Sequence, residues 1–214
     1  MALRLEAVSI ARDGHTLIAP FSLAIAPGEI VTLMGRSGAG KSTLLSFIAG
    51  DIDEAFVASG SVFLDGERLD GLLPERRRIG RLFQDDLLFP HLTVGENLLF
   101  GMAPGPRAER LKRVDEALAA AELGGMAERP PATLSGGQRA RVALLRALLA
   151  EPRAMLLDEP FNKLDQELRA AMRGFVFGHI VERNIPCLMV THDAADVPEG
   201  GRVLLIENGE VRHA

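Results

Sequence analysis

Roughly the first sixty residues place their hydrophobic positions on the two-residue period of strands. A run from Leu3 to Ile10 opens the chain, and Phe21, Leu23 and Ile25 then alternate with Ser22, Ala24 and Ala26, the pattern of a half-buried antiparallel strand. After a Pro27-Gly28 turn, Ile30-Val-Thr-Leu-Met34 is almost continuously apolar, as a strand covered on both faces requires. A glycine-rich segment leads into a predicted helix from Lys41 to about Ala49, followed by a strand at 61–64 and an Asp65-Gly66 turn.

From about Leu87 to Ala150 the period becomes helical. Leu111, Val114, Leu118 and Ala121 mark one face of a helix expected to stop at Gly124-Gly125. The next helix begins at Ser135 and turns Val142, Leu145 and Leu149 inward, its other leucines leaving little polar face. Buried-type strands at 154–157 and 186–190 flank an amphipathic helix from Asp165 to about Arg183, with Leu168, Met172, Phe175 and Val176 on its apolar side. Arg202–Glu207, Asn208-Gly209 and Glu210–His213 read as a closing hairpin. Strands alternating with helices predict an α/β fold with a mainly parallel sheet.

Composition changes this picture only by exclusion. The 214 residues suffice for one large domain with a substantial core. A net charge of −5 carries no polyelectrolyte signature, so nucleic acid is not an expected partner. Cys187 is the only cysteine; it lies in an apolar run and reads as a buried, inert thiol, and no intrachain disulfide can form. The N-terminal residues lack the charged and apolar regions of a signal peptide, and no apolar stretch reaches the ~18 residues of a membrane span. Only Lys41, Lys112 and Lys163 are lysines among 24 basic residues, which reads as an arginine-biased composition. Arg76-Arg-Arg78 reads as a solvated charged turn, the alternative being contact with a membrane-protein partner or lipid headgroups.

Two segments about a hundred residues apart offer small residues and free backbone N–H groups at a helix start, where the peptide dipoles favour phosphate oxygens. The first, Gly35-Arg-Ser-Gly-Ala-Gly-Lys-Ser-Thr43, is a phosphate loop in its required context of strand before and helix after. Its glycines Gly35, Gly38 and Gly40 let the backbone curl so that N–H groups of the loop, through Ser37 and Thr43, point at phosphate. Lys41 reaches the β and γ phosphates and the Ser42 hydroxyl ligates Mg²⁺. Arg36 and Ala39 are the variable positions, part of the cradle without a side-chain role. Met155-Leu-Leu-Asp158-Glu159-Pro160 supplies what such a site still needs: Asp158 to bind Mg²⁺ directly or through water, and Glu159 to polarise the attacking water. The second segment is Leu134-Ser-Gly-Gly-Gln138, which taken alone is a helix start capped by Ser135.

Together these segments, with Gln84 after an apolar strand, Asp165, and Thr191-His192-Asp193 after the last core strand, make the chain resemble the nucleotide-binding subunits of ATP-binding cassette (ABC) proteins over essentially its whole length. The resemblance implies a single ATPase domain over residues 1–214, with an N-terminal antiparallel β subdomain and a helical subdomain at about 87–150 carrying the 134–138 signature, and no C-terminal regulatory domain. It implies a head-to-tail homodimer, or paired cassettes, in which each ATP lies between the phosphate loop of one chain and Ser135, Gly136, Gly137 and Gln138 of the other. By the same resemblance Gln84 senses Mg²⁺ and the reactive water, and His192 contacts the γ-phosphate. The chain departs from the family twice. The stretch Arg12-Asp-Gly-His-Thr16 lacks the aromatic that usually stacks on adenine, so Arg12 or His15 is expected to cover the base, or base recognition is weak. Phe161-Asn-Lys-Leu-Asp165 puts Lys163 where the family has small residues, either at the dimer interface or solvated and pointing away.

A separate cassette without fused membrane segments is most similar to the energy subunit of a bacterial importer, with integral permease subunits and a periplasmic solute-binding protein as partners and a place on the inner face of the membrane. The stretch 83–98 is similar to importers of thiamine, polyamines, sugars or inorganic anions. The alternative is a non-transport ABC ATPase acting in membrane signalling, lipoprotein release or as a soluble switch.

Overall fold

The parity of the first strand switches midway. In β1 (Leu3–Arg12) Leu3 and Leu5 are buried, then Val8 and Ile10, so the inward side changes from odd to even positions. A β-bulge at Ala7, whose φ is +46°, absorbs the extra residue and shifts the register against both neighbours. Those neighbours are β2 (His15–Ile25) and β4 (Phe56–Leu64), each antiparallel to β1; β5 (Glu67–Arg68) completes a four-stranded sheet in the order β2-β1-β4-β5. The strand expected at 61–64 thus begins five residues earlier, at Phe56. The computed structural model describes residues 2–214; Met1, first in the N-terminal segment read above, lies outside the described residues.

A six-stranded sheet holds β3 (Ile30–Gly35), β6 (Ile79–Leu82), β7 (Ala154–Asp158), β8 (Cys187–Val190), β9 (Arg202–Glu207) and β10 (Glu210–His213) in the order β10-β9-β3-β8-β7-β6. β3 runs parallel to β8 and β9, and β7 parallel to β8; the β9-β10 hairpin is antiparallel. Every residue of β7 and β8 is buried, which is why these strands are continuous apolar runs. Both sheets and α1 (Lys41–Ala49) belong to one compact unit, of Met1–Arg81, Arg153–Glu159 and Ile180–Ala214.

The other unit, Leu82–Pro152 and Pro160–His179, carries α2 (Val94–Gly101), α3 (Arg107–Ala120), α4 (Gly136–Leu149) and most of α5 (Gln166–Glu182). Val142, Leu144, Leu145, Leu148 and Leu149 of α4 are all buried, as its lack of a polar face implied. α3 corrects the sequence reading twice. Leu111 is 39% exposed, the apolar stripe being Val114, Ala117 and Leu118. The helix also ends at Ala120, before the glycine pair. Glu122 adopts φ +56°, its N–H bonds Ala119 and the Leu123 N–H bonds Leu118, and Leu123 is buried against the turn. A Schellman stop therefore forms at a glutamate, where the buried Leu123 offsets the strain that glycine would have avoided. Among the described residues no helix is long and apolar enough to cross a membrane.

The basic run is not a solvated turn throughout. Arg76 and Arg78 are exposed, but Arg77 is 8% exposed and donates to the carbonyls of Leu72, Phe47 and Ile48. Its fork satisfies the Ile48 carbonyl and adds to the Gly50 N–H on the Phe47 carbonyl at the end of α1, the helix that starts at the phosphate loop.

Candidate active site

In the first unit, β3 delivers the chain into the phosphate loop and α1 leaves it. Gly40 is the N-cap of α1 at φ +90°, and a Cβ there would run into the Leu17 side chain at 2.8 Å. Only glycine fits both the backbone and that contact, and with no capping side chain on Gly40 the first N–H groups of α1 stay free for an anion. The buried Lys41 ammonium donates to the carbonyls of Gly35 at 2.8 Å and Arg36 at 3.0 Å, which leaves one of its three protons for a ligand. Beside the loop a cleft of about 630 Å³ is lined by Thr16, Leu17, residues 36–39 and the Asn208-Gly209 turn. That volume lies in the range of small-ligand sites.

β7 ends in Asp158, whose carboxylate is 5% exposed and accepts a hydrogen bond from Ser42. Burial pushes its pKa above the ordinary value, assisted by the neighbouring Glu159 charge and opposed by Ser42, Arg81 and Lys41. A carboxylate held at such a cost, paired to a hydroxyl of the phosphate loop, offers oxygen donors of the kind hard divalent cations take. Glu159 sits at φ +49°, its N–H bonded to Val190 at 2.9 Å, and its carboxylate lies 3.2 Å from His192 Nδ1. The adjacent strand end holds His192 in place. Buried Thr191 donates to buried Asp196 at 3.1 Å and accepts from the Asp193 N–H at 3.1 Å, while His192 itself is exposed. Asp196 escaped the sequence reading; its only signal there is its spacing from the Thr191-His192-Asp193 stretch.

The first unit thus brings together the phosphate loop, Asp158, Glu159 and His192. Arg12 is also there, 60% exposed, its guanidinium 5.5 Å from the ring centre of Phe56, with which it is in register across β1 and β4. Phe56 is an aromatic neighbour supplied by another strand, and so lies outside residues 12–16. His15 is exposed.

The second unit holds Gln84 and the 134–138 segment. Gln84 is exposed in the loop after β6. Ser135 caps α4 through a reciprocal box: its hydroxyl accepts from the Gln138 N–H at 3.2 Å, and its own N–H donates to the Gln138 side chain at 2.9 Å. Gln138 therefore fixes the helix start, and the small Gly136 and Gly137 follow the cap at the positive end of the α4 dipole. The Lys163 ammonium pairs with Asp86 at 3.2 Å instead of standing free in solvent.

Comparison with known proteins agrees with this geometry. Residues 18–162 match the model of the family described as ABC transporter. The chain is 47% identical to the uncharacterized ABC transporter ATP-binding protein YnjD of Escherichia coli (strain K12), over 92% of this chain and 91% of that protein. It is 41% identical to the thiamine import ATP-binding protein ThiQ of Haemophilus influenzae (strain 86-028NP), over 93% of each. The dimeric post-hydrolysis structure of the ATP-binding cassette MJ0796, bound to ADP and Pi, superposes with a TM-score of 0.85 at 33% identity, covering 99% of this chain and 97% of that one. The chain belongs to the ABC transporter family and is one of its ATP-hydrolysing, ATP-binding subunits.

Proposed function

We propose that this subunit powers a small-solute importer, its residues 1–214 acting as one ATPase domain whose catalytic centre is completed by a second copy. The observation that carries the reading is the division of site residues between two units: phosphate loop, Asp158, Glu159 and His192 in one, and the capped start of α4 in the other. Each half is built to hold an anion and neither carries the full set of groups.

ATP binds with its phosphates on the N–H groups of residues 35–43 and on the Lys41 ammonium. Ser42 and Asp158 would hold Mg²⁺, joined by Gln84 as the resemblance implies, and the ion would supply neutralisation of phosphate charge. Glu159 accepts a hydrogen bond from the attacking water and orients it in line with the γ-phosphate. His192, fixed by Thr191 and Asp196, donates to a γ-phosphate oxygen. Ser135, Gly136 and Gly137 of the second copy meet the same phosphate from the other side, so ATP favours the closed dimer and hydrolysis removes that preference.

The full-length likeness to a thiamine importer supports a small organic or inorganic solute as cargo. Phe83, Leu87 and Phe100, all exposed in the second unit, offer the apolar contact that a membrane permease subunit needs, which would hold the protein at the inner membrane face; a periplasmic binding protein would deliver the solute. The test is sedimentation of Glu159→Gln with ATP and Mg²⁺, combined with purification from membranes of the native host. The variant should form a stable dimer with hydrolysis reduced at least ~100-fold, and wild type should co-purify with a polytopic membrane protein. A variant that stays monomeric at saturating nucleotide overturns the completed site, and a chain that never associates with a membrane protein overturns the importer.

A further inference from the structure

Asp86, two residues beyond Gln84, gives its two carboxylate oxygens to two different elements. Oδ1 accepts from Lys163 Nζ at 3.2 Å and Oδ2 from Arg139 Nε at 3.3 Å. Arg139 lies in the first turn of α4 and also donates to the Leu134 carbonyl at 2.7 Å, which ties the 134–138 loop back to its own helix. Lys163 belongs to the 161–165 loop, and its carbonyl sits so close to the helix start that a Cβ on Gly137 would stand 3.2 Å from it. From the other side Arg146, also on α4, donates to the carbonyls of Leu87 at 2.9 Å and Asp86 at 3.3 Å.

Three segments that the proposed mechanism uses separately are therefore fastened at one carboxylate, all within one compact unit. Ordinary surface ion pairs contribute little, because water competes for both charges. The Asp86 side chain is only 14% exposed and faces two cations through charge-assisted hydrogen bonds, so water replaces it poorly. Without the carboxylate the two cations would repel each other beside Gly137.

We infer that Asp86 is a positioning residue for the 134–138 loop: acting through Arg139 and Lys163, it holds the start of α4 in the orientation presented to the nucleotide of a second copy, and couples that orientation to the segment after Gln84. The role rests on the completed-site reading above. Because the phosphate loop lies in the other unit, loss of Asp86 acts on the presenting half and spares nucleotide capture.

The test uses the full chain in the Glu159→Gln background, with Asp86→Asn and Asp86→Glu added in turn. Affinity for a fluorescent ATP analogue is measured at protein concentrations below dimer formation, and the monomer–dimer constant by sedimentation with ATP and Mg²⁺. Asp86→Asn should change nucleotide affinity less than about twofold and weaken dimer formation about tenfold. Asp86→Glu should recover most of that loss, which a merely structural role for the site would not produce. Arg139→Gln should weaken the dimer similarly, and the double variant should be no weaker than either single one. Additive losses, or dimer formation by Asp86→Asn within about twofold of its parent, overturn the inference. If Asp86→Asn does not fold, Lys163→Gln decides: unchanged dimer formation overturns the clamp, and an intermediate loss supports it. A parent Glu159→Gln that fails to dimerise removes the completed site and this role together, a result distinct from a dimerising parent with an indifferent Asp86→Asn.

Discussion

Replacing Arg77 by Met keeps the buried stem and removes the guanidinium, so it isolates its three hydrogen bonds, two to the end of α1 and one to Leu72. Their lengths, 3.1 Å to Leu72, 3.1 Å to Phe47 and 2.9 Å to Ile48, are ordinary for N–H···O bonds. The Phe47 carbonyl also accepts from the Gly50 N–H at 3.2 Å, so the loss falls on the Leu72 and Ile48 carbonyls, at about 1.5–3 kcal/mol for each bond from a charged donor. Against that sum stands the desolvation of the guanidinium, which burial expresses as a lowered Arg77 pKa and which the Met variant no longer bears. The net cost should be about 3 kcal/mol, or a melting temperature lower by roughly 6–12 °C for a chain of this size. Equilibrium urea unfolding followed by circular dichroism reads the difference as a shift in midpoint at constant slope. Arg77→Lys should fall between the two, because a point-like ammonium keeps the charge at the helix end but cannot span three carbonyls. A Met variant within about 0.5 kcal/mol of wild type, or a Lys variant as stable as Arg, would refute the reasoning.

Asp158→Asn should melt higher than wild type without nucleotide. The folded pKa of Asp158 is raised by burial, so its ionised form destabilises the fold at neutral pH; the gain should shrink as pH falls toward about 4, where the unfolded carboxylate also protonates, and scanning calorimetry across pH reads both effects. The same variant should lose the Mg²⁺ dependence of its stabilisation by ATP. Lys41→Ala should bind a fluorescent ATP analogue at least about tenfold more weakly while keeping its fold, since Lys41 contributes to the phosphate cradle and not to the core; undiminished binding in a titration would count against the cradle. Cys187 is buried and burial drives its thiol well above the ordinary range, so maleimide labelling should proceed only as fast as the protein opens, and rapid labelling of the native state would contradict the burial of β8.

What could be read from sequence was decided locally. Gly40 and Ser135 announce helix starts because a cap is settled within three residues, and the hairpin at Asn208-Gly209 because a two-residue turn is. Asp158, Glu159 and His192 were legible because parallel strands end together, so residues after successive apolar runs converge. The misses lie where a distant contact overrode the local rule. Glu122 stops α3 ahead of the glycines because Leu123 gains burial there, and Ala7 shifts the strand parity because two neighbouring strands accept the bulge. Asp86 pairs across 53 and 77 residues, a spacing with no period to detect.

Arginine bias, too, has a structural side that composition conceals. None of α1, α2 and α3 carries a basic residue in its last turn, the usual local complement to the helix dipole. Each receives an arginine from elsewhere in the chain instead: Arg77 at Phe47 and Ile48 of α1, Arg110 at Leu99 of α2, and Arg141 at Ala121, the cap of α3. Burial lowers the pKa of Arg77 and Arg141, and a lysine shifted in the same direction, from its lower starting value, would come closer to losing the charge that binds the carbonyls. At these ends the forked guanidinium reaches carbonyls that a lysine could not span in the same way, whereas Arg76 and Arg78 are exposed. The scarcity of lysine is therefore in part a consequence of how this fold closes its helices, and a sequence read by local signals alone counts it as mere bias.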